Sequence, residues 1–128
     1  MRVLLDTHIA LWAVVGSRRL APLAKELILT ADEVFVSAAS LWEIAIKHGL
    51  GRGDMPISSA QALQAFIDAG YGLLDIRSNH ALAVEQLAPI HSDPFDRMLV
   101  AQALVEPVTL ITRDALVARY SSAIVKVA

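Results

Sequence analysis

Short apolar runs alternate with amphipathic stretches along almost the whole of this chain. Arg2–Leu5 has the pattern of a short buried strand, and Thr7–Val15 is helical or nearly so until Gly16-Ser17 stops it. Pro22 suits a first helical position, and Leu23, Leu27 and Ile28 form a 3.6-residue stripe that runs up to Thr30. Val34–Val36 predicts a second strand, with Ser37 as N-cap of a helix over Ala38–His48 and Gly49 as its stop. Gly49–Asp54 reads as a flexible loop. Ser59 is expected to cap a helix that carries Ala62, Leu63, Phe66 and Ile67 on one face. Tyr71–Ile76 predicts the third strand and Asn79–Leu87 another helix. Asp93-Pro94 opens the helix Phe95–Val105, which Glu106-Pro107 ends. Val108–Thr112 predicts the fourth strand, Leu116–Arg119 a short helical turn, and Ala123–Val127 a fifth strand. Strands that alternate with helices in this way predict an α/β fold, with a five-stranded parallel sheet flanked by helices on both faces. Residues 1–128 are expected to form a single domain.

Composition sharpens this outline. The chain is 55% apolar with a mean hydropathy of +0.53, yet no apolar stretch approaches the roughly 18 residues needed to cross a bilayer. A membrane protein is therefore not expected, and the surplus apolar surface points to a protein–protein interface. The absence of cysteine excludes disulfides, thiolate metal sites and cysteine nucleophiles. Asp6 interrupts any signal-peptide core, so a cytoplasmic setting is expected. The formal net charge of −2 supplies no global field for nucleic acid. A phosphate ligand would have to be held by local cations or by a metal.

Candidate chemistry centres on Asp6, Glu43, Asp96 and Asp114. Asp6 and Asp114 follow predicted strands, Asp96 lies in the first turn of a helix, and Glu43 lies one to two turns into one. Each has an ordinary explanation on its own. Asp6 and Asp114 could cap helices, and Glu43 could pair with Lys47 at i,i+4. Asp93 could be an N-cap, with Asp96 completing a capping-box-like turn. Together they fall where open parallel sheets bind ligands, beyond the carboxyl ends of the strands. Four acids gathered there would repel one another without a cation. Hard oxygen ligands of this kind suit Mg²⁺, and the metal points to phosphate chemistry. His8, His48, His80 and His91 lack metal-ligand spacing, although His8 and His91 could approach the acids. Arg97 and Arg113, each beside a proposed ligand, could contact phosphate or form surface ion pairs. Trp12, Trp42 and Phe95 are expected in the core or at an interface.

Four blocks of sequence resemble a known family. Leu4-Leu5-Asp6-Thr7-His8-Ile9-Ala10-Leu11-Trp12 resembles the opening of PIN-domain nucleases, and Ser37–Lys47 their second block. Asp93-Pro94-Phe95-Asp96-Arg97-Met98-Leu99-Val100-Ala101-Gln102-Ala103 and Leu110-Ile111-Thr112-Arg113-Asp114 resemble the third and fourth. The blocks occur in order, and they look most like the bacterial VapC toxin branch. Gly49–Ile90 carries little of the resemblance.

The resemblance implies a PIN-like fold, Mg²⁺ or Mn²⁺ dependence and endonucleolytic cleavage of RNA by a metal-activated water. It also implies a homodimer and neutralisation by a cognate VapB-type antitoxin. The family's acidic quartet falls on Asp6, Glu43, Asp96 and Asp114. Thr7, Ser40, Asp93, Arg97 and Thr112 are candidates for supporting those acids or touching substrate. Rival readings are a PIN-domain RNA-processing nuclease that is not a toxin, a metal-free ribonuclease using His8 or His91, and a non-catalytic metal-binding interaction module such as a receiver-like domain.

Overall fold

The computed structural model describes residues 1–127. In chain order the elements are β1 (Arg2–Leu5), α1 (Thr7–Val15), α2 (Pro22–Thr30), β2 (Glu33–Ser37), α3 (Ala38–Gly49) and α4 (Ser59–Asp68). There follow β3 (Gly72–Leu74), α5 (Ser78–Glu85), α6 (Pro94–Val105), β4 (Thr109–Thr112), α7 (Ala115–Ala118) and β5 (Val125–Lys126). The strands form one all-parallel sheet in the order β3-β2-β1-β4-β5. From β1 the chain builds outward through β2 to β3, then returns to place β4 on the other side of β1. The sheet's topological switch point therefore lies between β1 and β4, and ligand crevices form beyond the strand ends at such points.

Strand alternation distributes the core between the two faces. Val3 and Leu5 of β1, Val36 of β2 and Ile111 of β4 pack with Ile9, Trp12, Ile44 and Phe66 from the helices on one face. Leu4 and Leu110 point the other way, toward Leu99, Val100, Ala103 and Val117. Both sheet faces are thus covered, as the near-continuous apolar strands require.

Several local expectations shift. Ser58, rather than Ser59, caps α4: its hydroxyl accepts from the Gln61 N–H at 3.2 Å, and the Gln61 side chain accepts from the Ser58 N–H at 2.9 Å. This is a reciprocal capping box. The strands β3 and β5, at the two edges of the sheet, are shorter than the apolar runs Tyr71–Ile76 and Ala123–Val127. The loop after α3 is anchored at its far end by Met55, which is buried in the core and whose carbonyl lies 2.9 Å from His48 Nδ1. His80 is fully buried. Its Nδ1 accepts from the Arg77 N–H at 3.0 Å, so Nε2 carries the proton and donates to Glu106 at 2.5 Å, tying α5 to the end of α6.

Candidate metal centre

Asp6 leaves β1 at the switch point, its backbone N–H donating to the Ile111 carbonyl of β4 at 3.0 Å. It occupies the N-cap position of α1, but its side chain caps nothing. Instead Asp6 Oδ2 accepts from Thr112 Oγ1 at 2.7 Å, and Thr112 Oγ1 accepts from the Asp114 N–H at 3.0 Å. One buried hydroxyl at the end of β4 therefore sets two of the acids relative to each other. Asp114 does cap its helix, with Oδ1 accepting from the Leu116 and Val117 N–H groups at 2.7 and 3.3 Å, and its Oδ2 is turned to His91.

The α3 acid is held by a chain of donors. Glu43 is 5% exposed. Its Oε1 lies 2.7 Å from Thr7 Oγ1, which is itself 2.8 Å from Ser40 Oγ. A hydroxyl has a single proton, so Thr7 donates to the carboxylate and accepts from Ser40. Glu43 Oε2 takes Lys47 Nζ at 2.5 Å, so the i,i+4 pair is present and sits within the site.

The fourth acid rides on α6. Asp93 caps that helix, Oδ1 accepting from the Asp96 N–H at 3.0 Å. His91 Nε2 lies 3.0 Å from Asp96 Oδ2 and 3.2 Å from Asp114 Oδ2. One ligand atom from each of His91, Asp96 and Asp114 falls within 4.8 Å of the others, compact enough to hold a metal ion. The sequence allowed His91 to approach the acids, and it does so. Its position two residues before the Asp93 cap was the available signal, while its partner Tyr120 left none.

Electrostatics tie the four acids into one site. Burial pushes the Asp6 carboxyl up, the Thr112 hydrogen bond and His8 pull it back, and Glu43 and Asp114 push it up further. Asp96 is pushed up to about 7, chiefly by burial, then by Asp6, Asp93 and Glu43, with His91 opposing. Asp6 and Asp96 thus each feel acids from other elements. Buried, mutually repelling carboxylates are a donor set that a hard divalent cation fits, because it supplies the charge they lack.

Arg97 and Arg113 are engaged elsewhere. The Arg97 guanidinium donates to the carbonyls of Val84, Ala88 and His91 and to Tyr120 Oη, at 3.0–3.3 Å. It fastens the segment before α6 to that helix, so the phosphate contact considered from sequence is replaced by backbone contacts. Arg113 lies over the Trp12 ring, 4.7 Å from its centroid. Trp12 is in the core, whereas Trp42 is 59% exposed and meets the Phe95 ring edge-on at 5.1 Å.

A doubly covered parallel sheet with acids at its switch point defines an α/β protein whose ligand crevice is lined by carboxylates. Residues 3–122 match the PIN domain, and the chain belongs to that family. It is 32% identical over 112 residues to Ribonuclease VapC22 of Mycobacterium tuberculosis, covering 88% of this chain and 86% of that protein. Among solved structures, VapBC2 from Rickettsia felis bound to a promoter DNA fragment has the same fold, with a TM-score of 0.70 at 16% identity. The match covers 97% of this chain and 96% of that one. A toxin–antitoxin complex from Klebsiella pneumoniae superposes at a TM-score of 0.67 and 18% identity, with the same coverage.

Proposed function

We propose that this chain is a metal-dependent endoribonuclease and the toxin of a VapBC-type pair, with Asp6, Glu43, Asp96 and Asp114 as its working acids. The observation that carries this reading is the convergence of acids at the β1/β4 switch point, where Thr112 ties Asp6 to Asp114 and His91 Nε2 lies 3.0 and 3.2 Å from Asp96 and Asp114. The similarity to a ribonuclease over most of both chains supports RNA as substrate.

Asp6, Asp96 and Asp114 would hold Mg²⁺ or Mn²⁺, and Glu43 would be a further ligand or the acid that orients the attacking water. Bound there, the cation would supply positive charge beside the phosphate and acidify a coordinated water. Thr112 keeps the Asp6 carboxylate turned into the site. Thr7 and Lys47 do the same for Glu43, and Lys47 balances its charge. Water adds to phosphorus and the P–O3′ bond breaks, so the products are a 3′-hydroxyl and a 5′-phosphate, with no use of the ribose 2′-hydroxyl. Single-stranded loops, where backbone and bases are accessible, are the substrate this chemistry suits.

The fold neighbours that are toxin–antitoxin complexes support a VapB-type partner. Such a partner would lay an amphipathic helix on exposed apolar surface and bring a basic side chain to the acids. Trp42, Ile46 and Leu50 are exposed at i, i+4 and i+8 along α3, a stripe that supports homodimerisation. No described helix is long and apolar enough to cross a membrane, and a cytoplasmic site of action fits the reading.

The position of His91 favours one rival, metal-free cleavage through the 2′-hydroxyl. The two leave different ends. Mass spectrometry of the products is expected to find 5′-phosphates and 3′-hydroxyls, whereas 2′,3′-cyclic phosphates would overturn the proposal.

A further inference from the structure

His91 stands between two of the acids, and its other ring nitrogen shows in which capacity. An imidazole that binds a metal through Nε2 carries its proton on Nδ1 and donates it to a carboxylate or carbonyl. Here Nδ1 faces a donor instead, accepting from the Asp93 N–H in a long contact of 3.4 Å. The neutral ring therefore bears its proton on Nε2, which donates to Asp114 Oδ2 at 3.2 Å and lies 3.0 Å from Asp96 Oδ2.

The main chain of His91 is clamped. Its N–H donates to Tyr120 Oη at 2.8 Å, and its carbonyl accepts from Arg97 Nη1 at 3.3 Å. Arg97 also donates to Tyr120 Oη at 3.0 Å, closing the clamp. The ring can turn about its own side-chain bonds, but the residue cannot drift away from the acids. Asp114 thus has a hydrogen-bond donor, and Asp96 the same ring nitrogen close by, at the oxygens a cation would use.

The geometry points to His91 as an internal competitor of the metal, occupying the facing oxygens of Asp96 and Asp114 until a cation displaces it. This rests on the proposed metal dependence of the acids and adds a direction to it. A ligand histidine strengthens metal binding. A competing one weakens it, and keeps the two carboxylates apart from each other and satisfied in the metal-free protein. Removing it leaves them repelling and unfilled, and both effects favour a cation.

The test is Mn²⁺ binding to the metal-free protein, read from the loss of the free-ion paramagnetic resonance signal, without RNA and at one pH. His91→Ala and His91→Asn, neither of which reaches both acids, are each expected to bind Mn²⁺ about fivefold to twentyfold tighter than the wild type. Circular dichroism identifies which variants are folded, and either one suffices. Equal or weaker binding by a folded variant would overturn the inference, and weaker binding would make His91 a ligand. If neither the wild type nor the variants bind Mn²⁺, the metal assignment of the acids falls, and this inference with it.

Discussion

Asp96→Asn is expected to abolish RNA cleavage and at the same time to stabilise the metal-free protein. The activity loss should be at least about 10³-fold, because the variant lacks one of the charges that would hold the cation beside the phosphate. The gain in stability follows from the same placement. The Asp96 carboxyl is pushed up to about 7 by burial and by Asp6, Asp93 and Glu43, whereas in the unfolded chain it ionises near the ordinary value of about 3.9. Between about pH 4 and pH 7 the native state binds a proton that the unfolded state has released. Stability of the metal-free wild type therefore falls as pH rises through that window and is level above it. Asparagine has no charge to bury. Thermal melts should place the variant about 5 °C above the wild type at pH 8 and close to it at pH 4. Asp6, pushed up by the same causes, gives Asp6→Asn the same pair of signs. A variant that cleaves RNA normally, or that melts below the wild type at pH 8, would count against the site.

Lys47→Met should be the most destabilising change in the supporting residues, by about 3 kcal/mol. Glu43 is almost wholly buried, and its Oε2 depends on Lys47 Nζ at 2.5 Å. Removing one partner leaves a buried charge with only Thr7 as donor, and uncompensated buried charges are costly. Adding Glu43→Gln removes that charge, so the double variant should recover most of the stability while remaining inactive. Urea unfolding of the two singles and the double measures the coupling directly. Additive effects would show that the pair is screened by solvent and contributes little to the site.

How far the site could be read in advance depended on the range of the interactions. The β1 and α3 boundaries were legible because an apolar run ends at a polar residue that starts a helix, as at Asp6 and Ser37. Asp6 and Asp114 were legible because each follows a strand and a parallel sheet brings its strand ends to one edge, and Asp96 because it opens a helix, whereas Glu43 lies inside α3 and leaned on the family resemblance. The Ser58–Gln61 capping box was also present in the sequence, one residue from the cap expected there. What could not be read is what depends on distant partners. Nothing local tells that His80 will be buried against Glu106, 26 residues on, or that Tyr120 will clamp His91. Arg97 lies beside an acid in sequence, yet the fold turns its guanidinium to carbonyls behind the site. The role of Asp6 needed the fold as well. A helix cap and a metal ligand look alike in sequence, and the absence of a cap bond together with the Thr112 contact removes the first reading.

The most direct measurement is cleavage of a structured RNA by the purified protein, first in excess EDTA and then after Mn²⁺ or Mg²⁺ is restored, with Asp96→Asn alongside. Cleavage should vanish in chelator, return with either ion in the wild type, and stay absent in the variant. Cleavage by the wild type that persists undiminished in excess EDTA would contradict a metal centre built on Asp6, Glu43, Asp96 and Asp114.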